Sequence, residues 1–459
     1  TIIEGYTPSG VPFAYPPLMF YVIAVLLKIT PFSGVEIAWL LPILSTGAVV
    51  VASYYLGLEL LGTRKDAAIA ATIVGTWPEV IRMNLAAGGM VRAPALLFTV
   101  VGSVVELRLF RTNEWSYTGV GGVLFGLTTL THPVYAVVFG SSYLLLYVLI
   151  DRSRRGFLQG VAVCLLGVVV AAPWLFFVNQ AHGLEILLKT SSTQGGLFPL
   201  FGAVKTLAFL HSPYSVLVTL YSALFFLGIL FSIAKREFLI VGWVVGLSVI
   251  IGSPFVYLLG AFLAAPIITT HLPNAIANVS APPLHRVAPL FIVIAVLGYG
   301  ILSGALYGGD YLGMSSSPDG FATSVDEDDL DSMQYLQQST PEDATVAAIG
   351  NTAEWLPYLT NRTILFGPWG MEWYGHERFT TEMQQYSQLS TCPTASCIST
   401  VLNETDANPD FIFVSDTGGI WGSGKTHPVS LSETMNQSDK YRLVYSNDGS
   451  QIYQVQYSS

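Results

Sequence analysis

The chain has 459 residues, 52% of them hydrophobic and only 11% charged, with a net charge of −10 and a mean hydropathy of +0.55. Soluble domains carry about a quarter charged residues, so this composition excludes a wholly soluble protein, and no nucleic-acid partner is expected. The charge is unevenly placed: 15 Lys and Arg against 10 Asp and Glu before Gly308, then 5 against 20 from Gly308 onward. A polytopic α-helical membrane body over residues 1–307 is therefore expected. An acidic linker over 308–331 and a soluble α/β domain over 332–459 follow it. An acidic surface low in Lys points to a high-salt habitat.

The sequence opens at Thr1 without a signal peptide, and its first residues read as the end of a loop, so we expect an upstream span to be missing. Gly5–Tyr21, GYTPSGVPFAYPPLMFY, is polar and Gly/Pro-rich, then aromatic around Tyr15, and enters an apolar run through Pro16-Pro17. The two prolines fix φ and remove backbone donors. The run Leu18–Ile29 is shorter than the roughly 20 residues a span needs, which suggests an in-plane or re-entrant helix; an irregular connector is the alternative.

Apolar spans are expected at 36–57, 67–80, 91–110, 117–131, 133–150, 157–178, 214–234, 238–258 and 287–306. The basic clusters Arg64-Lys65, Arg108 with Arg111, Arg152 with Arg154-Arg155, and Lys235-Arg236 fall where all four lie on the cytoplasmic side. Residues 1–35 and 81–90, the Thr131-His132-Pro133 bend and the loop 180–213 then face outside. A break at Ser253-Pro254, with 255–270 returning, puts the acidic domain outside the cell membrane; one crossing at 238–258 puts it inside. The outer location is favoured by Cys392 and Cys397, which could pair in an oxidising space. It is also favoured by the sequons at Asn361, Asn403 and Asn436, while Cys164 reads as a small core residue.

Outer-side residues supply the candidate chemistry. The loop from Trp77 to Pro94 carries Glu79, Arg82, a Gly-Gly pair and Arg92, against the charge bias that oriented the body. Arg presents a planar fork of donors matched to phosphate oxygens. The functional reading is a phosphate clamp with Glu79 as an acidic or metal-binding group, and the alternative is snorkelling to lipid headgroups. His285-Arg286 opens the last span and is either an interface anchor or part of the same clamp. His132 sits at a span-breaking bend, where a structural role is the commoner one. The loop 180–213, with its apolar run Leu197–Phe209, reads as a lid. Trp421-Gly-Ser-Gly-Lys425-Thr426 lacks the frame of a phosphate-binding loop and is set aside.

In the acidic domain, strands are expected at Ala344–Ile349, Thr363–Phe366 and Phe411–Val414, with a helix at Thr352–Leu359. Tyr441–Tyr445 and Gln451–Tyr457 read as a hairpin around Asn447-Asp448-Gly449. Ser315–Asp331 reads as linker.

The loop GYTPSGVPFAYPPLMFY, the bend Leu130-Thr-His-Pro133 and the run Glu354-Trp-Leu-Pro-Tyr-Leu-Thr-Asn-Arg362 resemble archaeal members of the GT-C membrane glycosyltransferase superfamily. That group includes oligosaccharyltransferase catalytic subunits and protein mannosyltransferases. The resemblance implies a polyprenyl-phosphate-linked sugar donor, a protein or lipid-linked glycan acceptor on the outer face, and often a divalent metal, Mg or Mn. It places a catalytic aspartate in the first outer loop, where this sequence has only Glu4. It also places an arginine against the lipid phosphate near Arg286. Trp369-Gly-Met-Glu-Trp373 departs from the oligosaccharyltransferase Trp-Trp-Asp signature, which favours transfer of a single sugar or a member of unknown acceptor. A receptor, scaffold or transporter with an acidic binding domain is the competing reading.

Overall fold

The structure, a computed structural model, describes residues 2–85, 89–193, 220–250, 255–279, 282–311, 325–415, 419–420, 425–426 and 430–457. Two compact units make up the chain. One comprises Pro16–Phe177 and Gly196–Gly308; the other comprises Thr1–Tyr15, Val178–Gly195 and Gly309–Ser459. The second unit thus recruits two segments that hydropathy alone assigns to the membrane body.

In chain order, β1 (Ile2–Ile3) and β2 (Val11–Pro12) precede α1 (Leu18–Ile29), α2 (Gly34–Leu61), α3 (Arg64–Thr76), α4 (Pro78–Leu85), α5 (Gly89–Thr112), α6 (Trp115–Thr129), α7 (Pro133–Ile150) and α8 (Arg154–His182). Next come α9 (Glu185–Thr193), α10 (Leu220–Lys235), α11 (Phe238–Ile250), α12 (Phe255–Pro266), a π-helical turn (Ile267–His271), α13 (Leu272–Val279) and α14 (Pro282–Tyr311). Among the described residues, five helices are long and apolar enough to cross a membrane: Gly34–Leu61, Gly89–Thr112, Pro133–Ile150, Arg154–His182 and Phe255–Ile276.

Local chemistry sets the helix ends. Ser33 accepts from the Glu36 N–H while the Glu36 carboxylate accepts from the Ser33 N–H, a capping box that starts α2. The expected span 67–80 is instead two helices. The residue before a proline is pushed out of the helical region, and Trp77, at φ −72° and ψ 119°, ends α3 ahead of Pro78. Region 238–270 is likewise two helices, α11 and α12; Ser253 and Pro254 lie outside the described residues. The lid expected over 180–213 begins with the end of α8 and with α9, and 194–213 lie outside the described residues, as do 214–219 of the next expected span.

The membrane unit packs around large side chains with small partners. Trp77, 1% exposed, meets Tyr221 and Tyr257 at ring distances of 5.4 and 5.9 Å. Buried Trp243 donates its indole N–H to Ser142 at 3.0 Å, which satisfies the indole away from water. A Cβ on Gly57 would stand 2.9 Å from the Ala67 Cα, so the α2–α3 crossing depends on glycine.

In the second unit, α15 (Glu327–Ser339) leads into β3 (Thr345–Ile349), α16 (Leu356–Thr360), β4 (Thr363–Ile364), α17 (His376–Ser390), α18 (Ala395–Glu404), β5 (Phe411–Ser415), β6 (Gly419–Ile420), β7 (Lys425–Thr426), α19 (Ser430–Asn436), β8 (Tyr441–Ser446) and β9 (Ser450–Val455). The main sheet runs β4-β3-β5-β9-β8, with β3 parallel to β4 and β5, and β9 antiparallel to β5 and β8. Val346 lies opposite Phe411 and Ile349 opposite Val414, which gives the central strands the continuous apolar runs of a sheet covered on both faces. The expected hairpin forms, and Asn447 Oδ1 accepts from the Gly449 and Ser450 N–H groups to close its turn.

The helix expected over Thr352–Leu359 is a 3-10 turn (Asn351–Glu354) followed by α16, because Pro357 starts a helix more readily than it continues one. The strand expected to Phe366 stops at Ile364, and α15 begins at Glu327 inside the expected linker stretch, of which 312–324 lie outside the described residues. Cys392 and Cys397 form a disulfide, and Cys164 is a half-buried free thiol in α8.

Candidate functional site

In the membrane unit, the candidate residues gather at two turns. The first is the α6–α7 bend. Thr131 is fully buried and bonds back to the Leu127 carbonyl at 2.7 Å, and Pro133 opens α7 with His132 as its extended N-cap. The Leu18 N–H, first of α1, donates to the Leu130 carbonyl at 3.0 Å. Pro16-Pro17 and the Leu130–Pro133 bend, far apart in sequence, are therefore neighbours. His132 meets Tyr135 edge-on at 5.4 Å. The Arg92 charge, in the first turns of α5, acts on both of these side chains.

The second turn is α4 into α5. A Cβ on Gly89 would collide with the Asn84 carbonyl oxygen, so the close approach of α4 to the start of α5 requires glycine at position 89. Asn84 is 1% exposed and bonds to the Val80 carbonyl at 2.7 Å. Glu79 and Arg82 stand three residues apart on α4, a spacing that puts both positions on one helix face. His285 and Arg286 lie in the opening turns of α14. The side chains of Glu79, Arg82, His285 and Arg286 lie outside the described residues.

In the other unit, the first loop and the C-terminal run assemble. The Ile364 N–H donates to the Gly5 carbonyl at 2.8 Å, and Gly5, at φ +99°, packs against Pro357. Tyr6 is buried beside the Glu354 carboxylate, and both effects push its hydroxyl pKa up, burial more than charge. Tyr386, also pushed up by burial and by Glu354, donates to the Gly350 carbonyl at 3.0 Å.

A 3-10 turn, Met371–Tyr374, follows Gly370 at φ +83° and packs against β2 and α9. There Tyr15 meets Trp373 edge-on at 6.0 Å, and the Tyr374 hydroxyl donates to the Gly10 carbonyl at 3.3 Å. Burial raises the Glu372 carboxyl pKa, and backbone N–H groups offset part of the rise. Glu4 is exposed on the loop after β1.

The structure thus brings Arg92 to His132 and Tyr15 to Trp373. Sequence reasoning missed Glu372, Tyr374, Tyr6 and Glu354. The first two sit in the Trp369–Trp373 neighbourhood that fails the Trp-Trp-Asp test, and Tyr6 gives no signal beyond its place in the loop. Among the described residues, no three His, Cys, Asp or Glu side chains converge as metal ligands do.

No family model and no curated protein matches the chain. Solved structures do. The oligosaccharyltransferase of Archaeoglobus fulgidus, tethered with an acceptor peptide containing the NVT sequon, matches 99% of this chain and 67% of its own, at 14% identity and a TM-score of 0.56. In complex with zinc and sulfate, that enzyme matches 98% and 66%, at 14% identity and a TM-score of 0.52. In complex with an inhibitory peptide and a dolichol-phosphate, it matches 99% and 67%, at 13% identity and 0.50. The chain spans about two thirds of that protein's length. This chain shares the fold of these oligosaccharyltransferase structures, with a many-helix body and a C-terminal α/β unit of its own.

Proposed function

We propose that the chain is a membrane glycosyltransferase that moves a sugar from a polyprenyl-phosphate-linked donor to an acceptor at the outer face of the cell membrane. The observation that carries this reading is Arg92, a cation in the opening turns of a span whose charge acts on His132 and Tyr135. The fold it shares with an enzyme bound to a dolichol-phosphate adds support by analogy.

In the reaction, a carboxylate, Glu79 or Glu4, takes the proton of the acceptor group as that group attacks the anomeric carbon. The bond from that carbon to the lipid-phosphate oxygen breaks on the opposite face, its electron pair stays on the phosphate, and the configuration inverts. Arg82, Arg92, His285 and Arg286 stabilise the charge gathering on that phosphate. His132 orients Arg92. Tyr15 and the exposed Tyr374, backed by buried Trp373 and with Glu372 beside them, supply an aromatic surface that receives the acceptor.

Membranes carrying the full-length gene, supplied with radiolabelled sugar on polyprenyl phosphate, test the reading with and without Mg or Mn. Arg82→Ala, Arg92→Ala and Arg286→Ala should each lower transfer by about 100-fold with unchanged melting, the usual size of a lost charge stabiliser. Full activity in all three removes the clamp. No transfer from any lipid-linked donor turns the reading toward a receptor or scaffold.

A further inference from the structure

At the end of the membrane-unit helices that carries Arg64-Lys65 and Lys235-Arg236 lies a cavity of about 560 Å³. Its walls differ in kind. One is apolar, formed by Leu60, Leu61, Phe262, Leu263 and Ile267. The other presents Asp66, Lys235, Glu237, Thr270 and His271.

The π-helical turn Ile267–His271 contributes Thr270 and His271 to the polar wall. Its wider ring carries one more residue than an α-turn and re-aims the side chains that follow, which is why such turns recur at functional sites. The Thr269 hydroxyl donates to the Asp66 carboxylate, and Lys65 Nζ donates to the Thr269 carbonyl at 3.3 Å. His271 stacks on Phe231 with centroids 4.5 Å apart and 15° between planes, and its Nε2 lies 3.3 Å from Lys235 Nζ. Lys235, Glu237 and Asp66 all act on this imidazole, so opposite charges surround a single ring.

The Asp66 and Glu237 carboxylates repel a simple anion, and the Lys235 ammonium beside them disfavours a simple cation. A ligand carrying both signs satisfies the wall. Apolar surface continues outward over Phe231 and Phe238, which are 41% and 52% exposed, so the ligand that fits is an amphiphile.

We propose that this cavity seats the headgroup of a zwitterionic phospholipid bearing a primary ammonium. The phosphate lies against Lys235 and His271, the ammonium against Asp66 and Glu237, and the acyl chains over Phe231 and Phe238. A primary ammonium donates hydrogen bonds to both carboxylates, which a quaternary one does not. The site is separate from Arg92 and His132, so its occupancy stands independently of the proposed transfer reaction.

The test is native mass spectrometry of the purified full chain in mixed micelles holding equal phosphatidylethanolamine, phosphatidylcholine and phosphatidylglycerol. The wild type should retain one phosphatidylethanolamine over each of the others by about tenfold. Lys235→Ala with Glu237→Gln, both exposed positions, should abolish that preference at an unchanged melting temperature. His271→Phe keeps the stack on Phe231 and should reduce the preference by itself. Equal retention of the three lipids overturns the proposal, as does an undiminished preference in His271→Phe or in a folded double variant. Free phosphoethanolamine that displaces the lipid at equal concentration also overturns it, since the acyl chains would then contribute nothing.

Discussion

Glu372 shows what a single buried carboxyl does to the C-terminal unit. Burial holds its folded pKa above the unfolded value, and backbone N–H groups recover only part of the cost. A raised acid pKa means that the unfolded chain loses its proton first. The penalty is therefore absent below the unfolded value of about 4.3, grows as pH rises through the folded pKa, and is complete above it. Glu372→Gln should match the wild type in melting temperature near pH 4 and exceed it at neutral pH, with the gap opening between. A constant gap across that range would assign the residue a role other than charge burial. None of this was legible in the sequence, because Trp369-Gly-Met-Glu-Trp373 gives no sign that its glutamate is enclosed. Arg362 teaches the same lesson. The sequence shows it as the middle of a sequon, yet it is 4% exposed and donates to the Gln337, Thr340 and Thr360 carbonyls at 2.9, 2.6 and 3.0 Å. The convergence of carbonyls at the ends of two helices, α15 and α16, on one guanidinium is a tertiary fact that no local pattern encodes.

Helix and strand positions were far more readable, because periodicity and turn chemistry are local. The spans at 36–57, 91–110 and 133–150 fall within or on α2, α5 and α7, and the Asn447-Asp448-Gly449 hairpin forms between β8 and β9. What escaped were breaks that hydropathy averages away, such as the one at Trp77-Pro78, and the π-helical turn inside an apolar stretch. The pairing of Cys392 with Cys397 was anticipated from spacing and compartment. Its physical effect is on two elements: Cys392 lies just past α17, and the Thr394 hydroxyl caps α18 by accepting from the Cys397 N–H at 3.3 Å. The bridge spans a sequence separation of 5. Closing so short a loop restricts the unfolded chain enough to contribute about 2 kcal/mol. Cys392→Ser with Cys397→Ser should lower the stability of the C-terminal unit by about that amount, and reductant should bring the wild type down to the variant. Identical stability with and without reductant would show that the helix cap alone fixes this corner.

At the scale of the whole molecule, the charge asymmetry separated body from acidic domain, but it did not reveal that residues 1–15 and 178–195 fold with the latter. The reason is physical. The pairing of Ile364 with Gly5 is a backbone hydrogen bond, and Tyr6 packs half-buried against the domain core beside Glu354. Composition is blind to both. On the proposed function, two groups of residues work apart: Arg92 with His132 in the membrane unit, and Tyr15 with Tyr374 in the other. Groups that stabilise a departing phosphate act in the transition state, whereas an aromatic surface for the acceptor binds ground state and transition state alike. The two should therefore separate kinetically. Arg92→Ala should depress kcat with little change in the KM for acceptor. Tyr374→Ala, at an exposed position, should raise the KM for acceptor by about tenfold while kcat at saturation holds, the signature of lost uniform binding. If Tyr374→Ala instead lowered kcat as far as Arg92→Ala does, the aromatic group would belong to the chemical step, and the acceptor would have to be sought elsewhere on the chain.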